Sequence, residues 1–394
     1  GSGEVIVEFD NFIPSNIDPS DEELIYSAPT ALSVGRNLLA GASVGNYALF
    51  AGGDSGSSTY RSSVDAYDTF LTRSTPTALS VARRYPAGAS VGDYALFAGG
   101  QSDPSTYLNT VDAYNASLVR STPTALSAAR NLLAGASVGD YALFAGGYNG
   151  SSYWSRVDAY NASLVRSTPT ALSVGRGYLA GVSVGNYALF AGGQTGTSSY
   201  HDTVDAYNTS LTRSTPTALS VARSYLAGAS VGDYALFTGG RADSYSNAVD
   251  AYDTSLTYST FTALSVGRGY LAGVSVGNYA LFAGGYGSSP TYKDTVDAYN
   301  TSLTRSTPTA LSVARSYLAG ASVGDYALFT GGRADSYSNA VDAYTSFVRV
   351  RLYMPIGTKY KFGESEEIAT TNEITVPVPL TGYIKFKNGV ISNG

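Results

Sequence analysis

Tyr47-Ala48-Leu49-Phe50-Ala51-Gly52-Gly53 decides the reading of this chain. The stretch recurs, nearly unchanged, from Tyr94, Tyr141, Tyr187, Tyr234, Tyr279 and Tyr326. The seven copies are spaced 47, 47, 46, 47, 45 and 47 residues apart. A fixed period in the forties marks an architecture of stacked units, each too small to bury its apolar face alone. Within the stretch, aromatic and aliphatic residues run to a glycine pair, which reads as a short buried strand with a backbone turn at its end.

The rest of one unit follows from there. Leu39 to Val44 is a strand of small apolar residues, strand a. Gly45-Asn46 is a two-residue hairpin turn, and its counterparts are Gly-Asn or Gly-Asp throughout. Such pairs favour the turns whose twist matches that of the flanking strands. Tyr47 to Ala51 is strand b, and a polar loop covers residues 54–63. Val64-Asp65-Ala66-Tyr67 opens strand c, and Leu71 to Ser74 is strand d. Pro76 then leads into the next unit. Four short antiparallel strands repeated radially predict a blade of a β-propeller. A helical solenoid of this period is excluded by the lack of any 3.6-residue apolar repeat and by the β-branched residues, tyrosines and glycine pairs.

The chain is therefore expected to be all-β: a seven-bladed β-propeller of four-stranded antiparallel blades, with a small β-rich module from the two chain ends. Residues 1–22 are expected to hold an N-terminal strand, at residues 4–9, and a turn-rich linker. Residues 23–344 form the propeller, and residues 24–28 supply the missing d strand of the last blade. Such closure hides the strand edges that a linear stack would expose. Residues 345–394 break the repeat and read as further strands near 348–353, 359–362, 373–378 and 383–387.

Three features together resemble kelch repeats: the glycine pair ending strand b, Val-Asp-Ala-Tyr on strand c, and the arginine before strand a. The resemblance covers roughly residues 24–344. The family's tryptophan in strand d is replaced by leucine, as at Leu71, Leu118, Leu164 and Leu211, and the Asp-Pro after the strand c tyrosine is absent. The resemblance implies a propeller used mostly as a protein- or glycan-binding scaffold, with a minority of enzymes.

Composition limits the chemistry. Charged residues make up 14% of the 394-residue chain, against about a quarter in ordinary domains. The net charge of −6 speaks against nucleic acid, which clustered Lys and Arg would bind. No apolar run is long enough for a membrane-spanning helix, so no membrane insertion is expected. With no Cys and a single His, His201, neither a metal centre nor a cofactor site is expected. The repeated Asp65, Asp112, Asp158, Asp205, Asp250, Asp297 and Asp342 read as partners of the repeated Arg36, Arg83, Arg130, Arg176, Arg223, Arg268 and Arg315, since catalytic carboxylates work in unlike environments. The other reading of those arginines is a ring that attracts an anion. No catalytic residue is assigned.

Function is sought where the units stop agreeing. The b–c loops vary, and the residue that follows a constant tyrosine in them reads Arg61, Leu108, Trp154, His201, Ser246, Lys293 and Ser338. The constant tyrosine itself reads as packing. The connection from strand d to strand a varies after its arginine, at Asn37, Arg84, Tyr85, Tyr178, Tyr225, Tyr270 and Tyr317. Strand directions place both loop types on one face, around the channel mouth. Arg61, Leu108, Trp154, His201, Lys293, Asn37, Arg84, Tyr85, Tyr178, Tyr225, Tyr270 and Tyr317 are the expected ligand-binding residues. Tyrosine gives a large contact area at little entropic cost, so the expected partner is a glycan or a protein receptor. The terminal module would serve attachment or oligomerisation, and the composition suggests an extracellular, cell-surface or virion setting. The alternatives are an enzyme resembling the kelch-type sialic acid mutarotase, or a structural or engineered scaffold. Residues 220–252 and 312–344 are identical, as are 173–193 and 265–285, so a two-blade unit has been duplicated.

Overall fold

The computed structural model describes residues 24–346 to the side chain, Pro290 apart, and the strands Glu4–Phe9, Ile17–Ser27, Val341–Tyr353, Lys359–Phe362, Ser365–Ile368, Glu373–Pro379 and Tyr383–Asn388 as backbone. The described residues contain strands and turns and no helix. Seven blades form a ring, each a sheet in the order a-b-c-d. In blade 1 these strands are Ala40–Val44, Tyr47–Ala51, Val64–Asp68 and Arg73–Ser74. Blade 7 reads Ala319–Val323, Tyr326–Thr330, the start of Val341–Tyr353, and Ile17–Ser27. Only the end of Ile17–Ser27 belongs to the propeller unit, and the strand begins within the stretch expected to be linker. Residues 10–16 of that linker lie outside the described residues.

Alternation explains why strand b is apolar throughout. Leu49 and Ala51 face blade 2, where they meet Ala95, Phe97 and Tyr114. Ala48 and Phe50 face the other way and meet Leu328 and Val341 of blade 7. Both faces are covered, so each of these four residues has no exposed surface. The same division recurs at the other interfaces, as in Leu96 and Ala98 packing on Ala142, Phe144 and Tyr160. The hydrophobic core therefore lies in layers between neighbouring blades.

Strand a lines the axis and must be narrow, because seven strands converge there. Its residues are Gly, Ala or Val, and Ser around a channel of about 260 Å³. A Cβ on Gly135 would collide with the carbonyl oxygen of Gly88 in the neighbouring blade. We expect Gly135→Ala to cost about 1–3 kcal/mol, as overpacking does, read from the shift of a chemical denaturation midpoint. Serine hydroxyls stitch this layer, with Ser90 and Ser137 each donating to the preceding blade's Ser carbonyl at 2.6 Å.

Strand d is shorter than expected. It is two residues long in blade 1, and Leu71 lies in the turn before it with φ 61°. The leucine that replaces the expected tryptophan is therefore a turn residue, packed against the core of the adjoining blades. Asp68 holds this turn by accepting from the amides of Phe70 and Thr72 at 2.9 and 2.8 Å. Asn115 and Asn161 act alike in their own turns.

Residues 1–25 and 344–394 make a second compact unit. Glu4–Phe9 runs parallel to Tyr383–Asn388 and antiparallel to Lys359–Phe362. Ser365–Ile368, a strand that the sequence reading passes over, extends this sheet beyond Lys359–Phe362.

Candidate ligand-binding face

The Val-Asp-Ala-Tyr motif seats the loops of this face. Val64 and Ala66 pack into the core toward blade 2, so Asp65 and Tyr67 point to the other side of the sheet. Tyr67 donates to the Thr30 carbonyl at 2.8 Å. Asp65 accepts from Arg36 at 2.7 Å, from the Ser33 amide and hydroxyl at 3.0 Å each, and from Arg73 of strand d at 3.2 Å. Arg36 also donates to the Phe50 carbonyl at 3.1 Å. All seven Arg–Asp pairs form, at 2.5–2.8 Å, with both side chains fully buried. Burial pushes the Arg36 guanidinium below its ordinary value, opposed by the charge of Asp65. An arginine with no exposed surface cannot meet a ligand, which removes the reading of these arginines as an anion-attracting ring. Their work is to fix the d–a connection on its blade.

The glycine pair does the matching work for the b–c loop. Gly52 and Gly53 have φ of 71° and 113°, and a Cβ on either would meet the carbonyl of Arg83 or Asn37 at 2.7 or 2.6 Å. Gly53 donates to the Arg83 carbonyl of blade 2 at 2.8 Å. The chain leaves strand b here and returns across the connection, with Asn37 and Asp54 exchanging backbone bonds of 2.9 and 2.8 Å. The b–c loops and the d–a connections therefore meet at one mouth.

The innermost ring of that mouth is Leu38, Tyr85, Leu132, Tyr178, Tyr225, Tyr270 and Tyr317. Every one has left-handed backbone, with φ between 54° and 59°, a conformation that costs a non-glycine residue roughly 1–3 kcal/mol. Six backbone bonds of 2.9–3.2 Å link neighbours round this ring, such as Tyr225 N–H to the Tyr178 carbonyl. The tyrosine rings stack in sequence, with centroids 4.0 Å apart for Tyr178 and Tyr225, 4.1 Å for Tyr225 and Tyr270, and 4.6 Å for Tyr270 and Tyr317. Burial, then the neighbouring phenols, push the Tyr225 and Tyr317 hydroxyls well up. The c–d turn leucines share this backbone, as Leu71 does at φ 61°, so the conformation belongs to the repeated turns, and its effect here is to set one side chain per blade at the axis.

Outside this ring lies the residue that follows each glycine pair: Asp54, Gln101, Tyr148, Gln194, Arg241, Tyr286 and Arg333. The sequence reading singled out none of them, although the position varies as freely as any in the unit. Two clefts open here. The larger, about 620 Å³, is lined by Tyr148, Tyr153, Tyr200, Tyr225 and Tyr270, with Ser151, Ser152, Gln194, Thr195, Thr197 and Arg241 among its polar groups. The second, about 390 Å³, lies around Tyr270, Tyr286 and Tyr292. Four of the constant tyrosines, Tyr153, Tyr200, Tyr245 and Tyr292, line one cleft or the other, a placement that a packing role does not describe.

The residues singled out in the sequence divide into two sets. Tyr85, Tyr178, Tyr225, Tyr270 and Tyr317 are brought together at the axis. Arg84 lies beside them, over the Tyr60 ring at 4.8 Å and the Tyr85 ring at 5.5 Å, and pairs with Asp54 at 3.4 Å. Asn37 is buried beneath, bridged to Asp54. Arg61, Leu108, Trp154, His201 and Lys293 are not brought together. Each lends its backbone to an inter-blade staple, as where Arg61 N–H donates to Gly53 and the Arg61 carbonyl accepts from Arg83. Four of these side chains stay with their own loops. Arg61 donates to Ser55 at 2.7 Å, Lys293 to the Ser288 carbonyl at 2.7 Å, and Trp154 lies under Arg156 at 4.3 Å. His201 Nε2 is 3.0 Å from the Thr195 hydroxyl and so supports a cleft residue from behind. Burial and then Arg176 push the His201 imidazole below its ordinary value.

No protein-family model matches the chain, and no curated protein matches it. The structure is similar to a solved one described as the structure of YjhT, at 13% identity and a TM-score of 0.56, spanning 79% of this chain and 99% of that one. At that identity the likeness is one of fold: both are propellers.

Proposed function

We propose that this protein is a non-enzymatic binding propeller of kelch type that takes a glycan in the tyrosine-lined clefts of its loop face. The observation that carries the reading is the larger cleft. Five tyrosines offer flat apolar platforms, and Ser, Thr and Gln side chains stand beside them, without a carboxylate among the lining residues. Sugar rings present just this mixture, C–H faces that pack on aromatics and hydroxyls that need hydrogen-bond partners. The ring of strained backbone holds the platforms in place before a ligand arrives, which lowers the entropic cost of binding. An enzyme that hydrolyses glycosides would need paired carboxylates in the cleft. Asp54, the carboxylate at the post-glycine position, is paired with Arg84 and lies outside both clefts. The second unit serves attachment in this reading, with the propeller displayed outside the cell or on a particle.

A glycan array with the intact chain tests the proposal. Binding to a defined set of saccharides is expected, and Tyr153→Ala with Tyr200→Ala should weaken it by roughly tenfold or more, equivalent to ~1.4 kcal/mol. Both tyrosines are only partly buried, so the melting temperature should hold. Undiminished binding by the double variant would place the ligand elsewhere.

A further inference from the structure

Blades 5 and 7 contain the same sequence, residues 220–252 and 312–344. Their post-glycine residues are therefore identical arginines, Arg241 and Arg333, and blade 6 stands between them. Both side chains line the 390 Å³ cleft, with Tyr270 and Tyr286 of blade 6 between. Among the described residues, neither guanidinium has a carboxylate within 4 Å. This sets them apart from Arg84, the arginine at the mouth of blade 2, which has Asp54. It also sets them apart from the seven buried arginines, each with its own aspartate. Arg241 and Arg333 instead lie over Tyr245 and Tyr337, at 5.8 and 5.2 Å from the ring centres. Asp243 and Asp335, two residues on, are exposed and do not line the cleft.

The Tyr270 phenol beside it holds the Arg241 guanidinium above its ordinary value, so the charge stays at the cleft, and an anion placed there takes hydrogen bonds from two planar forks. We propose that this cleft is an anion subsite, in which Arg241 and Arg333 bind the carboxylate or sulfate group of an acidic saccharide whose ring rests on Tyr270 and Tyr286. The assignment of a saccharide rests on the glycan-binding reading of the face; the anion follows from the arginines. A densely charged polymer such as a nucleic acid fits worse, because the chain carries a net charge of −6 and would repel it beyond the cleft. A single acidic group on a neutral skeleton meets the two arginines without that penalty. Blade duplication supplied the pair: one copy gives one arginine, and two copies on either side of a third blade give a clamp.

The test is a printed panel of uronate and sulfated oligosaccharides, each beside its uncharged counterpart, the methyl ester or the desulfated sugar. The intact chain is expected to prefer the acidic member by about tenfold or more at low salt. Arg241→Gln with Arg333→Gln should bring the two members of each pair to parity, and added salt should do the same to the parent. The arginines are exposed, so an unchanged melting temperature should accompany the loss. Preference for uronates or for sulfates identifies the anion. Parity in the parent chain, or a preference that survives the double substitution, overturns the subsite and leaves the glycan reading standing. Failure to bind any member of any pair overturns both.

Discussion

Replacing Asp158 with alanine is expected to lower the stability of the propeller by about 3–5 kcal/mol, the cost of leaving one buried charge without its partner. Asp158 accepts from Arg130 at 2.7 Å and from the Ser127 amide and hydroxyl at 2.9 and 3.0 Å. Neither side chain of the ion pair is exposed to water. Truncation would strand the guanidinium, which retains only the carbonyls of Ala128 and Phe144, at 3.1 and 3.2 Å. The alternative, that the pair itself stabilises the fold strongly, is separable by experiment. Arg130→Met combined with Asp158→Val removes both charges and nearly keeps the volume, and such exchanges are near neutral when packing is good. Guanidinium denaturation should therefore place the double variant above the single one. If the two losses simply add, the cost lies in the missing contacts and not in the stranded charge. The pair matters for the loop face as well. It clamps the connection that carries Asn131 and Leu132 to the mouth, so the single variant should also roughen that surface.

The propeller was legible because its physics repeats. A glycine pair at fixed spacing, two-residue turns and a four-residue motif with opposite faces admit few other folds, and seven copies remove the accidents of any one. The pairing of Asp65 with Arg36 could be read in the same way. The loop face was legible only in part. Tyr178 and its counterparts reach the axis because the connection is short and clamped on both sides. Trp154 and its counterparts do not, and variation among units gives no warning of it. Side-chain direction alternates predictably along a strand, but a loop of changing length has no such rule. What fixes the direction of residue 154 is a pair of backbone bonds, from its N–H to Gly147 and from Arg176 to its carbonyl, and neither is visible in one-dimensional comparison. Tyr153 and Tyr200 were hidden for the opposite reason. They are constant, and constancy reads as packing, which holds for the buried Tyr60 but does not tell it from Tyr153 and Tyr200, which line a cleft.

Phe50→Ala and Phe144→Ala are expected to cost the same, about 3–5 kcal/mol each, although only the first lies where the chain's two ends join. Phe144 is fully buried between blades 2 and 3, edge-on to Tyr160 at 6.0 Å. Phe50 is fully buried between blades 7 and 1, edge-on to Tyr67 at 6.1 Å. The hydrogen bonds across the two boundaries also match. Arg36 N–H reaches the Ser338 carbonyl at 3.0 Å, and Arg130 N–H reaches the Leu108 carbonyl at 3.0 Å. Closure therefore does not rest on the N-terminal strand alone, whose Tyr26 donates to Asp342 at 2.9 Å. It is carried by residues 32–67 as well, which come later in the chain and repeat the contacts of every other blade boundary. Denaturation midpoints of the two variants, compared at equal slope, decide the matter. A Phe50→Ala loss of half the Phe144→Ala value or less would mean that the ring opens at its join, and with it the mouth, because the Leu38 amide closes the ring of left-handed residues onto Tyr317 at 3.2 Å. Equal losses would mean that the tyrosine platforms stand on a ring with no weak boundary, so that their spacing is set by geometry and not by the ligand.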